Sequence, residues 1–456
     1  MSYHSIGTPG CSTVELFRNH GLTPLRKMLP PELFATAWPG LAHPNAILVP
    51  PVVFWLMAAA VLSDGTMSGA VLSFWSSLSS VCPLMRLKSV TEEAFCMARR
   101  ALPISFFRIL FNTFVQRQEE GNVGRWLWHG KRVLALDGTL VPLAPVDALR
   151  ESHPPACNEH GIGKRPQALL VGLVGVWSGL CHAFMFVPQA QSEQWCACWL
   201  TRYLRLGDLL LGDRCFASYE IIARAGHRGA DFVFRLPSNR FHKQVRRPTN
   251  SGRKDEWLVD LQLPSALRKR CPHLPALITV RIIAYQMPGY RVSWLVTSLT
   301  DARAYSYDEI VDLYHQRWNQ ETMHREWKHT LQLSNLRSHS AQGVCKEVFV
   351  QLILNNAIRA MQSESLSFGG RPMTLRFLDT KRLVVTMIPI MAGAPIAELP
   401  SIYKNLLEAI ACLTILVRAG RSFPRPQDGK PRNKGKGYFV QPARLAATKN
   451  SQERSV

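Results

Sequence analysis

Acid is what this chain has little of. Its 456 residues hold 32 Asp and Glu against 54 Lys and Arg, giving a formal net charge of +22 and a pI near 9.9. An excess of that size calls for a polyanionic partner, with nucleic acid ahead of anionic lipid. Charge of either sign is sparse at 19%, while hydrophobic residues reach 47%, which excludes a mainly disordered chain. Long apolar runs are missing too. The most apolar stretch, Ile47 to Leu62, is shorter than the ~20 residues of a spanning helix. It carries Pro50-Pro51 near its start and reads as a buried helix. With a mean hydropathy of −0.03, a polytopic membrane protein is excluded and no membrane partner is expected. The N-terminus lacks the apolar segment that would follow the basic residues of a signal peptide. None of the eleven cysteines forms a Cys-x-x-Cys pair, which argues against a disulfide framework or a standard zinc motif and for a reducing cytoplasm. His153, Cys157 and His160 share one Pro-containing loop, but no fourth metal ligand accompanies them.

What is present divides the chain. Residues 1–125 read as a helical N-terminal domain, with Pro51 starting one helix and Pro103 separating two more. The character changes at Lys131, where RVLALDGTLVPLA reads as a strand, a tight bend and a second strand. After a loop from Asp147 to Pro166 come two strands joined at Ser178-Gly179, then a helix from Ser192. The near-continuous apolar run GDLLLGDRCF predicts a strand buried on both faces. A short helix from Tyr219 and the strand DFVFRLP complete a mixed α/β sheet. Residues 238–290 read as a β-rich insertion. RVSWLVTSL returns to a buried strand, Ser306 to Leu331 predicts one long helix, and Val344 to Met361 another. Residues 126–237 and 291–365 thus form a core, 366–420 a helical region, and 421–456 a basic tail rich in Pro and Gly, expected to be disordered without a partner.

Three acids stand out. Asp137 follows the apolar run VLAL, where it is either the first residue of an Asp-Gly turn or a carboxylate at the end of a buried strand. Asp213 ends LLLGD, where it either caps the next helix or adds a second carboxylate at the strand ends, where ligands collect in open α/β sheets. Tyr314, Arg317, Glu321 and Lys328 sit at offsets of 0, 3, 7 and 14. On a continuous helix, at about 100° per residue, these fall within roughly 60° of arc. The stripe is either an ordinary solvated face with a weak ion pair or a third acid flanked by phosphate-binding groups. Three carboxylates with no competing His/Cys set suit two Mg²⁺ or Mn²⁺ ions acting on a phosphodiester.

LALDGT, LLLGDRCF and YHQRWNQETMHREWK together resemble the DDE-class transposases of bacterial insertion sequences, the family typified by insertion sequence four. Its Tyr-x2-Arg-x3-Glu-x6-Lys signature is met by Tyr314, Arg317, Glu321 and Lys328, and the resemblance spans roughly residues 20–440. It implies a ribonuclease-H-like catalytic core with a β insertion before the last acid, and metal ligation by Asp137, Asp213 and Glu321. Tyr314, Arg317 and Lys328 would contact phosphates near the cleaved end, and Trp294 would stack a flipped base, although a core role accounts for it equally. Lys164 and Arg165, in GIGKRPQA, are candidates to grip phosphate, or belong to a solvated loop. The implied partners are terminal inverted repeats, target DNA and a second copy of the chain, in a bacterial, nucleoid-associated setting. One departure is Gln320, where the family has an apolar residue before the Glu. The other functions compatible with these residues are a metal-dependent nuclease without strand transfer and a DNA-binding repressor from a decayed element.

Overall fold

A computed structural model describes residues 23–40, 46–63, 69, 71, 91–158, 161–237, 249–250, 255–287, 291–366, 370–415 and 439–440. Its centre is a 10-stranded mixed sheet. The main strands are β1 (Lys131–Pro142), β2 (Gln167–Gly175), β3 (Cys181–Pro188), β4 (Asp208–Gly212), β5 (Asp231–Leu236), β6 (Glu256–Gln262), β7 (Leu277–Tyr285) and β8 (Ser293–Thr297). They lie in the order β3-β2-β1-β4-β5-β8-β7-β6. β1 pairs antiparallel with β2, and β2 with β3, whereas β4 is parallel to β1 and β5 parallel to β4. The parallel strands are reached by helical crossovers, as parallel pairing requires. α1 (Glu193–Leu200) precedes β4 and α2 (Tyr219–His227) precedes β5. β4 is buried at every position, as its unbroken apolar run predicts.

Alternation along β1 and β4 separates two layers. Leu134, Leu136 and Leu210 pack with Cys196, Ala197 and Ile221 of the two crossover helices. Val133, Ala135, Leu209 and Leu211 face the other way, onto Ile310, Leu313 and Tyr314 of α3 (Tyr307–His315). A third cluster joins Pro50–Leu62 and Ile104–Gly121, on the N-terminal side, to α5 (Ala341–Ser365), which follows the short helix α4 (Trp318–Arg325). Pro50–Leu62 is apolar all round and buried from Val52 to Leu62, a core helix as expected. No helix among the described residues is long and apolar enough to cross a membrane.

Three local expectations are corrected. Asp137-Gly138 is no turn: β1 runs unbroken through it, because β2 pairs along it from Leu134 to Pro142 and holds it extended, while β4 pairs only as far as Leu136. The single helix over Ser306–Leu331 is two helices and a wide turn. α3 ends at His315, where the N–H groups of Gln316 and Arg317 bond three residues back, to Leu313 and Tyr314. After α4, Glu326–Thr330 widens into a π turn closed by the Leu331 N–H on the Glu326 carbonyl. Within the basic tail, Phe439–Val440 pairs with Ile162 and Gly163; the rest lies outside the described residues. Of the loop trio, His153 is buried and Cys157 exposed, and His160 is outside the described residues.

Strands from residues 249–285 extend the same sheet through β8. A buried ion pair ties the backbone-paired strands to the start of α3. Arg281 and Glu256 are each 1% exposed, and the Arg281 Nε donates to Glu256 Oε2 at 2.9 Å while its Nη1 donates to the Tyr305 carbonyl at 2.7 Å. Tyr305 immediately precedes the Ser306 cap of α3, so the pair also fixes where that helix starts. Arg281→Met strands a buried carboxylate and is expected to cost about 3–5 kcal/mol, while adding Glu256→Met recovers most of it. Urea denaturation measures both; a single-variant loss below about 1 kcal/mol would show that the pair does not carry this attachment.

Candidate active site

Leu136 and Gly212 are register partners on parallel strands. The next residues along each chain, Asp137 and Asp213, are therefore neighbours at the sheet's centre. By alternation Asp137 falls on the face of Val133 and Ala135, the face covered by α3. Asp137 Oδ1 accepts from the Gly138 N–H at 2.9 Å, and Asp213 Oδ1 from the Cys215 N–H at 2.7 Å. Asp213 does not cap α2, whose N-cap is Ser218.

Glu321 arrives on α4. The Arg317 Nη2 donates to Glu321 Oε1 at 3.2 Å, and Arg317 Nη1 lies 3.8 Å from Asp137 Oδ2. One guanidinium thus spans two of the three acids. The Tyr314 ring lies 6.0 Å from that guanidinium. Lys328, on the π turn, senses Asp137: burial lowers its ammonium pKa and the Asp137 charge opposes the shift. The four signature residues and both aspartates are therefore brought together, across a broken helix rather than along one stripe.

The electrostatics are strained in one direction. Burial pushes Asp137 up to about 6, with Asp213 and Glu193 adding to the rise and Arg317 and the Gly138 N–H opposing it. Burial pushes the Tyr314 phenol up to about 12, so it remains a neutral donor. His324 lies with Nδ1 3.8 Å from Asp137 Oδ2. Burial, then Lys328 and Arg317, lower its pKa to about 3, which keeps it neutral.

Among the described residues no group of three His, Cys, Asp or Glu side chains stands at metal-holding spacing. Glu321 is turned to Arg317, with its side chain 38% exposed. The donor set nevertheless fits a hard divalent cation: all its members are carboxylate oxygens, and a cation would offset both the burial that chiefly raises Asp137 and the smaller repulsion from Asp213 and Glu193.

Three sequence candidates lie elsewhere. Trp294 is half-buried on β8 and packs on the cluster of the crossover helices, on the sheet face opposite Tyr314. Lys164 and Arg165 are exposed in the turn before β2. Gln167 pairs with Pro142, five positions along β1 from Asp137, which puts that turn on the order of 17 Å from the acids.

Sequence reasoning missed Glu193, the first residue of α1. Its carboxylate packs against Gly138: a Cβ built there would meet Glu193 Oε1 at 2.6 Å. Only the bare glycine beside Asp137 admits it. The Gln320 departure also finds a reason. Its buried amide donates to the Gly172 carbonyl at 3.2 Å, and Gly172 is the register partner of Asp137. Trp327 lies against the same glycine, where a Cβ would be 3.1 Å from its ring, and its indole N–H donates to Asn355 of α5 at 3.0 Å. Glycine at 172 thus lets α4 and the π turn seat directly on the strand beside Asp137.

Asp137 within β1, Asp213 just past the end of β4 and Glu321 on the overlying α4 thus converge. The profile of the family described as "Transposase DDE domain" matches residues 128–356, half of the chain, and the chain belongs to that family. It is a DNA-transposing enzyme of the DDE class, and enzymes of this family use divalent metal ions. It is 27% identical over 311 residues to the transposase InsG for insertion sequence element IS4 of Escherichia coli (strain K12), an alignment covering 67% of this chain and 69% of that protein. It is also similar, at 11% identity and a TM-score of 0.43, to the piggyBac transposase in a synaptic complex with hairpin DNA, over 91% of this chain and 88% of that one.

Proposed function

We propose that this chain binds the terminal inverted repeats of its insertion sequence, cuts the DNA beside them and joins the ends to target DNA, acting as a homodimer. The observation that carries this reading is the meeting of Asp137 and Asp213 on parallel neighbours, with Arg317 drawing Glu321 toward them. The strand order β3-β2-β1-β4-β5, antiparallel then parallel, supports a ribonuclease-H-like core in residues 126–237 and 291–365. The helices of residues 1–125 and the basic tail of 421–456 then supply DNA-binding surface, in keeping with the net charge of +22.

Asp137, Asp213 and Glu321 would hold two Mg²⁺ or Mn²⁺ ions. When bound, such ions activate a water or 3′-hydroxyl and stabilise the leaving oxygen. The protein's own groups do the placing. Arg317 leaves the carboxylates for a DNA phosphate, Lys328 sets a second cation beside Asp137, and the neutral Tyr314 donates to a phosphate oxygen. His324, uncharged, adds no positive charge to compete for Asp137.

Duplex DNA carrying the element's terminal repeat and flank tests the reading. Mg²⁺ should yield a nick at the repeat boundary with a free 3′-hydroxyl, and a chelator should abolish it. Nicks scattered without regard to the repeat would contradict the proposal. Acidity gives a second test. Asp137, pushed up to about 6 by burial, must lose a proton before it can bind a cation. Mn²⁺ affinity by calorimetry should therefore be level above about pH 7 and fall about tenfold per unit below pH 6. Equal affinity at pH 5 and pH 7.5 would remove Asp137 from the ligand set.

A further inference from the structure

The π turn Glu326–Thr330 carries Lys328 at its centre, and the residues around Lys328 are tied to two helices that hold none of the three acids. Glu326 is ion-paired with Arg359 of α5, whose Nη1 also donates to the Pro372 carbonyl at 3.2 Å. The Trp327 indole N–H donates to Asn355, one turn earlier on α5, and the Asn355 amide donates to the Gly179 carbonyl at 3.1 Å. Lys381 of α6 (Phe377–Gly393) donates to the Thr330 carbonyl at 2.9 Å. Beside Asn355, Asn356 accepts from the Cys181 N–H at 2.8 Å and donates to the Cys181 carbonyl at 2.9 Å, which locks α5 onto the start of β3.

Asn355, Arg359 and Lys381 are 0%, 1% and 6% exposed, too deep to meet DNA. Buried polar groups cost stability unless they are paired, and apolar side chains of similar volume often pack as well. What these three add is direction, since each bond fixes one atom of the turn. π turns are rare and recur at functional sites. This one seats Trp327 on Gly172, the register partner of Asp137, and leaves the next residue, Lys328, within reach of the Asp137 charge.

We propose that Asn355, Arg359 and Lys381 are positioning residues for Lys328. They hold the π turn against the strand beside Asp137, so that the Lys328 ammonium meets the DNA phosphate at the cleaved end, and they act through the turn rather than on DNA. The proposal rests on the reading above in which Lys328 binds that phosphate.

The test is a double-mutant cycle on the full-length protein. It is read by nicking of the terminal-repeat duplex in Mg²⁺ and by the salt dependence of binding to a pre-cut end in Ca²⁺. Asn355→Leu, Arg359→Met and Lys381→Met should each slow nicking, by no more than the ~100-fold expected of Lys328→Ala. In the Lys328→Ala background the same changes should alter the rate by less than about twofold, because the residue they place is gone. Lys328→Ala should lower the salt slope of end binding by about 0.9, one phosphate contact. Asn355→Leu should lower it too, although the side chain it removes is neutral and buried. Arg359→Lys, which keeps a charge for Glu326, should recover part of the nicking lost in Arg359→Met. If Asn355→Leu fails to fold by circular dichroism, Trp327→Phe replaces it, removing the indole N–H while keeping a ring on Gly172. Losses that multiply in the Lys328→Ala background, or an unchanged salt slope in Asn355→Leu or its replacement, would overturn the proposal and leave these residues holding the fold alone. Lys328→Ala protein that nicks and binds like the wild type would instead refute the phosphate reading of Lys328, and the positioning role with it.

Discussion

Asp137→Asn, Asp213→Asn and Glu321→Gln are each expected to lower nicking of a terminal-repeat duplex by on the order of 10³-fold, the scale on which charge-stabilising groups act in a closed site. The changes keep shape and remove charge, so they separate chemistry from packing. Asp137 gives the sharpest case. Burial, with two neighbouring acids adding to it, pushes its carboxyl up to about 6, above the usual carboxylate range. The sign follows: a carboxyl raised in the native state opposes folding once pH exceeds its unfolded pKa, and it opposes most strongly above the folded value. At pH 7 Asp137→Asn should therefore melt at the same temperature as the wild type or higher while losing nearly all cleavage. A gain in stability with a loss of function marks a residue kept for chemistry. A variant that loses both together would mean that Asp137 holds the fold.

Arg317→Ala and Lys328→Ala carry the next largest effect, about 100-fold in cleavage and joining, because small misplacements of a reacting group cost that much. An exposed ion pair would contribute only about 0–1 kcal/mol and leave rates almost unchanged. Arg317 is half-buried rather than exposed, with its guanidinium between Asp137 and Glu321. It also lowers the Asp137 pKa, so removing it should move the acid limb of the pH–rate profile to higher pH. Arg317→Lys should restore part of that shift but not the geometry of a two-pronged contact. A 100-fold loss with an unmoved pH profile would show that Arg317 acts on DNA alone; unchanged rates would return the stripe to a solvated surface.

Much of this site was legible because its acids end apolar runs. VLAL before Asp137 and LLLG before Asp213 announce buried strands, and as parallel neighbours they bring the residues that follow together, although β1 itself continues to Pro142. The break after His315 was not legible. No Gly or Pro marks it, and it arises where two N–H groups tighten to bond three residues back. One straight helix is not what gathers Tyr314, Arg317, Glu321 and Lys328; α4 and the π turn bring them near Asp137 across the break. Asp-Gly misled for a related reason. Its turn tendency is local, and pairing with β2 along one edge of β1 overrides it. The face of Trp294 depends on strand register, which one strand's composition does not reveal. Glu193 was hidden because its approach depends on the missing side chain of Gly138, 55 positions earlier and in another element.

The most direct measurement supplies a pre-cut terminal repeat with a free 3′-hydroxyl, a supercoiled target plasmid and Mg²⁺, and follows joined product. The wild type should join the end to the plasmid, and Asp137→Asn, Asp213→Asn and Glu321→Gln should each bind the end yet form no joined product. Wild-type protein that hydrolyses DNA but never joins the end, or a Glu321→Gln variant that joins at the wild-type rate, would contradict the account.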